Sequence, residues 1–309
     1  MSRDQPVISV IIPVFNDSIR LKSCLLALES QTYSRSAYEV IVIDNNSAEN
    51  TAEVVKEFAQ ARLVYEAKPG SYAARNRGIA VAQGEILAFT DSDCIPNSDW
   101  LEKGAEQLMS HPNCGLLAGK IDLFFENPTA PTSVELYDSL NFLQQQFYVE
   151  QKHFGATANL FTFRQVINNV GPFNAEFKSA GDHEWGRRVA KAGYSQIYAE
   201  NACIQHPARK TLKQLERKVI RVTDGYEDLR RHKLADGQKL PQDHWPAFLH
   251  SIASDLKEPF ALTPKILGDS RLTGFIKKLS VTGVMFFAKY VRVIERVRLR
   301  LGKLERERL

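Results

Sequence analysis

The feature that most constrains the fold is a regular alternation of apolar runs and helical patterns in the first hundred residues. The run VISVIIPV at 7–14 is rich in β-branched residues and ends at a turn, which is typical of a strand buried on both faces. Three similar runs follow at 39–44, 62–66 and 85–91, and a stretch with helical spacing precedes each of them. This order predicts an α/β fold with a mostly parallel sheet, right-handed crossovers and helices on both faces.

The rest of the chain is less regular. Residues 114–125 predict another strand, 133–151 a single helix, and 182–206 a helix followed by a strand. The remaining sequence has helical spacing. We therefore predict an α/β domain over residues 1–207 and a helical C-terminal region over residues 208–309.

The formal net charge of +4 is unevenly distributed along the chain. From Lys265 to Leu309 there are 12 Lys/Arg and 4 Asp/Glu, a net charge of +8, so the rest of the chain carries −4. A net negative α/β domain argues against broad binding to the phosphate backbone of a nucleic acid. We expect no nucleic-acid partner.

The cysteines and the N-terminal segment indicate a reducing compartment. The 4 cysteines contain no CxxC pair and no zinc-finger spacing. The first apolar run is short and contains Pro13, which does not fit a signal peptide. No apolar stretch reaches the roughly 18 residues of a spanning helix. We expect a cytoplasmic protein that can also lie on the cytoplasmic face of a membrane.

Two common nucleotide-binding motifs are missing. No GxGxxG follows the first strand, and no GxxxxGK[ST] occurs, which argues against a dinucleotide-binding fold and a P-loop ATPase. In open α/β sheets, ligands bind beyond the carboxyl ends of the strands. The four predicted strands deliver polar residues to that edge, among them Asp17, Asp44, Lys68, Asp91 and Asp93.

Asp91 and Asp93 are separated only by Ser92 at the end of the fourth strand. Carboxylates this close repel one another unless a positive charge lies between them. Hard oxygen ligands suit Mg²⁺ or Mn²⁺. The pair therefore predicts a divalent cation that would also neutralise a substrate diphosphate. The alternative is a turn that merely contains acidic residues.

Other polar residues also have both a functional and a structural interpretation. Asp44 could accept hydrogen bonds from a base or a ribose, or close an Asx-turn. Arg75 lies in the first turns of a helix, where the dipole disfavours a cation, so an anionic partner such as a diphosphate is expected. Asp182 and Glu184 start a helix, either as a general base over the cleft or as acids that complement the dipole. His206 could complete a metal site or be structural.

Five segments in this order resemble family 2 glycosyltransferases of the GT-A fold: SVIIPVFND, VIVIDNNSAENT, KPGSYAARNRGI, ILAFTDSD and SAGDHEWGRRVAKAGY. The similarity covers roughly residues 7–207. The resemblance implies an inverting transfer of a sugar from a nucleotide-diphosphate sugar, with a UDP-sugar as the first candidate donor. Mn²⁺ or Mg²⁺ would be bound through the DxD motif. The acceptor would be a saccharide or a lipid-linked molecule.

The resemblance also implies roles for single residues. Pro13, Phe15 and Asp44 would form the nucleobase and ribose site, and Phe15 stands where the family often has Tyr. Arg75 would approach the nucleotide, and Asp91 the ribose and sugar.

The remaining implied roles concern the metal, the base and the acceptor. Asp93 would bind the metal, with Asp91 and His206 as further ligands. Asp182 would be the catalytic base. Many members have Glu-Asp at this point, and Gly181 removes the first acid, which puts acceptor recognition in doubt. Further candidates for acceptor contacts are Thr157, Asn159 and Glu184.

Two other classes of protein compete with this interpretation. A nucleotidyltransferase also uses strand-end acids and a metal, but it usually carries a glycine-rich signature with a lysine near its first strand, and IIPVFNDSIRLK has none. A non-catalytic nucleotide-sugar-binding protein would not need both Asp93 and Asp182.

From about Gly274, apolar and basic residues alternate at helical spacing. One predicted apolar stripe comprises Val291, Ile294, Val297, Leu301 and Leu304, and basic residues surround it. A basic amphipathic helix is typical of contact with an anionic membrane surface. The alternative is that the stripe packs on the protein or on a second copy.

Overall fold

The structure, a computed structural model, describes residues 7–235 and 244–307, with side chains to residue 232 in the first range and to residue 302 in the second. The chain forms two compact units. The first comprises Met1–Phe124 and Leu143–Pro207, and the second comprises Phe125–Phe142 and Ala208–Leu309. The sequence-based division had placed residues 125–142 in the first domain, whereas they group with the second unit.

The first unit contains an eight-stranded sheet with the order β3-β2-β1-β4-β7-β6-β8-β5. In chain order the strands are β1 (Ile8–Val14), β2 (Tyr38–Asp44), β3 (Ala61–Tyr65), β4 (Ile86–Thr90), β5 (Ile95–Pro96), β6 (Cys114–Phe124), β7 (Asn159–Phe163) and β8 (Ser195–Pro207). Strands β3, β2, β1 and β4 are parallel, as are β6 and β8, whereas β7 and β5 run antiparallel to their neighbours. The predicted α/β class with a mostly parallel sheet is confirmed.

Helices flank the sheet and form the C-terminal region. In chain order they are α1 (Ser18–Glu29), α2 (Thr51–Lys56), α3 (Ser71–Val81), α4 (Trp100–Met109), α5 (Ser133–Asn141), α6 (Gln145–Lys152), α7 (Arg164–Val170), α8 (Gly181–Lys191), α9 (Leu212–Ala235), α10 (Trp245–Gly268) and α11 (Phe275–Glu307). Helix α5 and helices α9 to α11 belong to the second unit.

Helix α3 lies unusually close to the sheet because Gly78 has no side chain. A Cβ atom at Gly78 would come within 2.6 Å of Ile11 Cγ2 and 2.8 Å of Ile43 Cδ1, both on central strands. Real Cβ contacts of that length would force the helix away from the sheet. The close packing fixes the distance between α3 and the sheet. Helix α3 carries Tyr72 and Arg75 at the carboxyl edge of the strands.

The prediction of a single helix over residues 133–151 was wrong. Helix α5 ends at Asn141; Phe142, which follows it, is extended, and Leu143 has a φ of 57°. Phe142 packs against the apolar cluster of the second unit. The buried Gln145 side chain instead hydrogen-bonds to the backbone of Ala156 and Asn159 in the first unit. Because the two ends of this segment are held in different cores, the helix is interrupted between them.

The second unit is a helical bundle around its own apolar cluster, to which α11 contributes Val281, Val284, Met285 and Ala288. The predicted stripe is not the buried face, since Ile294 is 67% exposed. Lys303 and Leu304 lie outside the residues whose side chains are described. A helical C-terminal region was predicted and is confirmed. Over the described ranges, no helix is both long and apolar enough to cross a membrane.

Candidate active site

Asparagine side chains tie together the loops that follow the first three strands. Asn45 donates to the carbonyl oxygen of Glu66 at 2.8 Å and accepts from the N–H of Gly70 at 2.7 Å. Asn16 accepts from the N–H of Ala48 at 2.7 Å. Each loop is therefore hydrogen-bonded to the next along this part of the carboxyl edge.

The residues predicted for the nucleobase and ribose lie along this edge. Pro13 is on β1, Phe15 is exposed immediately after it, and Asp44 is buried at the end of β2. Asp44 Oδ1 accepts a hydrogen bond from the N–H of Ser47 at 3.0 Å. This N–H lies three residues after Asp44, one residue farther than in the Asx-turn considered from the sequence, and the bond orients the Asp44 carboxylate.

Arg75 has a protein partner. Only 3% of it is exposed, and its guanidinium forms an ion pair with Asp91 at the end of β4. Its Nε atom is buried and has no hydrogen-bond partner among the described residues. The anionic partner expected from the sequence is thus a carboxylate of the same chain, and the ion pair fixes the Asp91 side chain at the carboxyl edge.

Asp93 and His206 face one another although they are far apart in sequence. His206 Nε2 lies 3.6 Å from Asp93 Oδ1. The short strand β5 brings them together, because it follows Asp93 closely and pairs with the end of β8 in the register Ile95 with Gln205.

The protonation of His206 makes this pair suitable for a cation. Its Nδ1 lies 2.8 Å from the carbonyl oxygen of Pro207, so Nδ1 carries a proton and donates it. Nε2 is then the ring nitrogen on the side of Asp93 Oδ1. The two atoms lie 3.6 Å apart, a separation at which one cation can contact both. The carboxylate oxygen suits Mg²⁺ or Mn²⁺, and the imidazole nitrogen is a ligand of transition metals, so these residues fit a divalent cation and favour Mn²⁺ over Mg²⁺.

Cys94 is a neighbour that the sequence did not suggest. Among the described residues, the potential ligand atoms of Asp93, Cys94 and His206 lie within 4.8 Å of one another. Burial raises the pKa of the Cys94 thiol well above its ordinary value, with Asp91 adding to the effect. A neutral thiol is a poor ligand for a hard cation. The third predicted ligand, Asp91, is not in this group and is paired with Arg75 instead.

A cation of the protein also lies beside Asp93. Arg20 Nη1 is 3.5 Å from Asp93 Oδ2, and Arg20 Nε donates to Asp17 Oδ1 at 2.6 Å. Ser92 Oγ donates to Asp17 Oδ2 at 2.8 Å. Sequence analysis missed Arg20, although its spacing from Asp17, three residues along the start of α1, was a usable signal.

Asp182 is the second residue of α8, and a tyrosine holds its carboxylate. Asp182 Oδ1 accepts from Tyr72 Oη at 3.1 Å and from the N–H of His183 at 2.9 Å. Burial raises the pKa of the Tyr72 phenol, and the negative charge of Asp182 acts in the same direction. The phenol therefore stays protonated and donates to Asp182. Because Tyr72 and Arg75 occupy successive turns of α3, one helix positions both Asp182 and Asp91.

The missing acid before Asp182 has a steric explanation. A Cβ atom at Gly181 would lie 2.7 to 2.9 Å from three carbon atoms of the Tyr72 ring. No side chain fits there while Tyr72 is in place. The ring that holds Asp182 thus occupies the space next to it.

The geometry favours structural roles for two of the candidate acceptor residues. Asn159 is 0% exposed, accepts from Trp100 Nε1 at 2.9 Å, and donates to the carbonyl oxygens of Lys120 and Ala202 at 2.8 and 2.9 Å. These contacts engage both ends of its amide. Thr157 is also buried.

Glu184 is held by a neighbour on its own helix. Its two carboxylate oxygens accept from Arg188 at 2.7 and 2.9 Å. Arg188 also donates to the carbonyl oxygens of Val170 and Pro172, both at 2.7 Å. Glu184 therefore fixes an arginine that joins α8 to the preceding loop.

Comparisons with known proteins identify the family of this chain. The family model described as Glycosyl transferase family 2 matches residues 9–171. The chain is 39% identical over 230 residues to Glycosyltransferase AglE of Haloferax volcanii, an alignment that covers 73% of this chain and 74% of the relative.

A second relative and one solved structure extend the comparison. The Methanococcus voltae protein named dolichyl N-acetyl-alpha-D-glucosaminyl phosphate 3-beta-D-2,3-diacetamido-2,3-dideoxy-beta-D-glucuronosyltransferase is 23% identical over 226 residues, which cover 69% of this chain and 70% of that protein. The mannosyltransferase PcManGT from Pyrobaculum calidifontis, solved in complex with GDP-Man and Mn²⁺, has a TM-score of 0.63 at 19% identity and covers 95% of this chain and 87% of its own. At that identity the likeness shows the fold alone.

Proposed function

Because this chain belongs to glycosyl transferase family 2, and is therefore an enzyme that transfers a sugar from a nucleotide-sugar donor, we propose that the transfer inverts the anomeric carbon and uses a divalent cation at Asp93 and His206. The observation that supports the metal proposal is the approach of Asp93 Oδ1 and His206 Nε2 to 3.6 Å, with His206 Nδ1 bonded to the carbonyl oxygen of Pro207.

In this proposal Asp93 and His206 hold the metal. When bound there, Mn²⁺ or Mg²⁺ would supply the positive charge that stabilises the diphosphate leaving group. The carbonyl oxygen of Pro207 holds the His206 ring in one tautomer. Arg20 adds a fixed positive charge beside Asp93. Asp91, held by Arg75, is proposed to accept hydrogen bonds from the ribose or the sugar.

Asp182 is proposed as the general base. Its carboxylate takes the proton of the acceptor hydroxyl while the hydroxyl oxygen bonds to the anomeric carbon. The bond from that carbon to the diphosphate oxygen breaks, and the nucleoside diphosphate leaves with the electron pair. Tyr72 keeps the carboxylate in place through its hydrogen bond. A single displacement of this kind needs one base and forms no covalent intermediate with the enzyme.

We propose a UDP-sugar as the donor, with Pro13, Phe15 and Asp44 at the nucleobase and ribose. GDP-sugars are the second donor to test, because the neighbouring structure holds GDP-Man. The acceptor is proposed to be a saccharide or a lipid-linked sugar. The dolichyl phosphate in the name of the Methanococcus voltae relative supports the lipid-linked form.

The test is a screen of UDP- and GDP-sugars with Mn²⁺, with Mg²⁺ and with a chelator, followed by NMR of the product. We expect release of a nucleoside diphosphate, loss of turnover in the chelator, and a product of inverted configuration. Release of pyrophosphate would instead indicate a nucleotidyltransferase. Retention of configuration, or turnover that a chelator leaves unchanged, would contradict the mechanism.

Membrane contact is proposed at the start of α11 rather than along its whole length. Arg292 and Arg296 form ion pairs with Asp255 of α10. Phe275 and Ile276, by contrast, are 71% and 79% exposed. Exposed aromatic and aliphatic side chains beside basic residues are typical of an interfacial anchor. A peripheral position on a membrane follows from this proposal, and we propose the cytoplasmic face, as expected from the sequence.

Co-sedimentation with anionic liposomes tests the membrane proposal. The double change Phe275→Ser and Ile276→Ser is expected to abolish binding, whereas the control Ile294→Ser, on the same helix and 67% exposed, keeps it. Binding of the native chain should weaken as salt rises, because each nearby Lys or Arg contributes about 1 kcal/mol through a screened attraction. Equal loss in both variants would move the contact to the predicted stripe, and no binding at low salt would end the proposal.

A further inference from the structure

The side chains of Asp93, Cys94 and His206 form a group whose cysteine the proposed transfer does not use. Among the residues that the structure describes, the potential ligand atoms of these three side chains lie within 4.8 Å of one another. Cys94 Sγ lies 3.9 Å from Asp93 Oδ1, the same oxygen that is 3.6 Å from His206 Nε2. A carboxylate oxygen, a thiol and an imidazole nitrogen are therefore close enough to contact one cation.

The separations between these atoms are close to those inside a tetrahedral zinc site. Zn²⁺ binds sulfur at about 2.3 Å and nitrogen or oxygen at about 2.0–2.2 Å, so its ligand atoms lie about 3.4–3.6 Å apart. The two separations from Asp93 Oδ1 exceed that range by a few tenths of an ångström at most, and sulfur and nitrogen are within 4.8 Å. Rotation of the side chains within their rotamer wells closes gaps of this size.

The chemical types of the three ligands favour a cation that binds sulfur. Mn²⁺ and Mg²⁺ prefer oxygen ligands, whereas Zn²⁺ combines thiolate, imidazole and carboxylate in one site. The Cys94 thiol lies within hydrogen-bonding distance of Asp93 Oδ1 and of the carbonyl oxygen of Ala158. A zinc ion would take the place of the thiol proton, which passes to the solvent, and the sulfur would bind as the thiolate.

The groups around the three side chains are compatible with a cation at this point. Arg20 approaches Asp93 through its other oxygen, Oδ2, at 3.5 Å, and Arg20 is exposed, so solvent screens its charge. The carbonyl oxygen of Pro207 holds the His206 ring through Nδ1, as an outer partner of a metal ligand does. The side chains of Asp93 and His206 are 21% and 10% exposed, so a cation reaches the buried thiol from their side.

We propose that Asp93, Cys94 and His206 bind Zn²⁺, and that Zn²⁺ thereby excludes the cation proposed for sugar transfer. Both cations would use Asp93 Oδ1 and His206 Nε2, so the two cannot bind together. Zn²⁺ binds more tightly, because it adds a bond to sulfur. The zinc site rests on the geometry of the three side chains, whereas its effect on transfer also rests on the function proposed above.

Cobalt spectroscopy of the full chain without nucleotide tests the sulfur ligand directly. Co²⁺ substitutes for Zn²⁺ and, when sulfur is a ligand, shows a thiolate-to-cobalt charge-transfer band in the near ultraviolet. We expect this band to saturate at one Co²⁺ per chain and to disappear on addition of one equivalent of Zn²⁺. Binding of Co²⁺ without the band, or no binding at all, would overturn the proposal without any variant.

Two serine variants identify the cysteine. Cys94→Ser should abolish the band, whereas the control Cys203→Ser should keep it. Cys203 is the informative control because its sulfur also lies near a carboxylate, 3.4 Å from Asp122 Oδ2. Retention of the band in Cys94→Ser would overturn the proposal, and its loss in Cys203→Ser would then place the cation at Asp122.

Metal selectivity is measured by calorimetry of the same variants. Cys94→Ser should lower the affinity for Zn²⁺ at least about 10-fold more than the affinity for Mn²⁺ in the presence of UDP, since loss of even an outer partner costs about 10- to 100-fold in metal affinity. Cys203→Ser should leave the ratio of the two affinities within about twofold of the native value. An equal fall for both cations in Cys94→Ser would show that the thiol does not distinguish them, which contradicts the proposal.

Electron paramagnetic resonance of Mn²⁺ separates this proposal from the proposed function. In the native chain with UDP or GDP, one equivalent of Zn²⁺ should release the bound Mn²⁺, which appears as the free-ion signal. If Zn²⁺ binds while Mn²⁺ stays bound, the cations occupy different sites and the exclusion is wrong. If Mn²⁺ does not bind to the native chain at all, the proposed function fails, whereas the cobalt band still decides the zinc site.

Discussion

At the scale of single residues, the proposed chemistry depends on the Asp182 carboxylate. Asp182→Asn keeps an oxygen for the Tyr72 hydrogen bond but cannot take a proton. We expect turnover to fall by about 10²-fold or more, whereas nucleoside diphosphate affinity stays nearly unchanged, because the base acts on the acceptor. Steady-state kinetics and calorimetry measure the two quantities.

The control for this change is Glu184→Gln on the same helix. It removes the salt bridge to Arg188 and should lower the melting temperature more than it lowers turnover. The opposite pattern, with normal turnover in Asp182→Asn and a large loss in Glu184→Gln, would transfer the role of the base to Glu184.

Gly181→Glu introduces the acid that the family resemblance places before the proposed base, but it should destabilise this protein. The new Cβ atom would meet the Tyr72 ring at 2.7 Å. Overpacking of this kind costs about 1–3 kcal/mol, so the melting temperature should fall. On a Tyr72→Ala background the same change should cost much less, which thermal melts of the four proteins can measure. An equal cost in both backgrounds would show that the ring is not the obstacle.

Motifs identified Asp93 and Asp182 in the sequence, but they could not identify the neighbours that hold them. Tyr72 lies 110 residues before Asp182, and Arg20 lies 73 residues before Asp93. Such contacts depend on how distant segments pack, which no local pattern encodes. For the same reason the sequence suggested a diphosphate as the partner of Arg75, where the fold supplies Asp91.

At the scale of secondary-structure elements, the proposed metal site depends on a strand of two residues. Strand β5, Ile95–Pro96, pairs with β8 and thereby brings His206 to Asp93. A strand this short has no periodicity, so the local pattern could not predict this contact, and only the family resemblance placed Asp93 and His206 at one metal. Helix α3 is different: its pattern was clear, and Gly78 lets it approach the sheet closely enough to carry Tyr72 and Arg75.

The contact between α9 and α11 predicts a pH dependence of stability. Burial raises the pKa of Asp224 on α9 to about 6, and a hydrogen bond to Glu295 on α11 acts in the same direction. An unfolded aspartate titrates near pH ~4. Between these values Asp224 holds a proton in the folded protein that it has lost in the unfolded chain, so its contribution to stability should be lost as the pH rises through about 6. Hydrogen bonds from Arg298 and Asp224 lower the pKa of Glu295, which offsets part of this loss.

Asp224→Asn tests this prediction because an amide does not ionise. We expect a higher melting temperature than the native chain at pH 8 and little difference at pH 4. The control Glu216→Gln changes an exposed acid on the same helix and should have a small effect at both values. An equal effect of Asp224→Asn at pH 4 and pH 8 would rule out a titrating carboxyl pair.

At the scale of the whole molecule, the sequence predicted the fold of the first hundred residues well because each strand and helix there is bounded by a turn. The order of β7, β6, β8 and β5 was not predictable, since it includes antiparallel pairings between distant segments. In the second unit the helices were predicted, but the buried face of α11 was not. That helix has apolar residues on more than one face, and only its partners determine which face is buried.

The central claim is that Asp93 and His206 act together as the cation site for the donor diphosphate. Calorimetry of UDP and GDP with and without Mn²⁺ tests it in the native chain, in Asp93→Asn and His206→Ala, and in the control Asp99→Asn. The account predicts that Mn²⁺ tightens nucleotide binding in the native chain and in the control. In each of the other two variants most of this gain, about 10-fold or more, should be lost. If both Asp93→Asn and His206→Ala keep the full metal-dependent gain, the site is elsewhere and the account is contradicted.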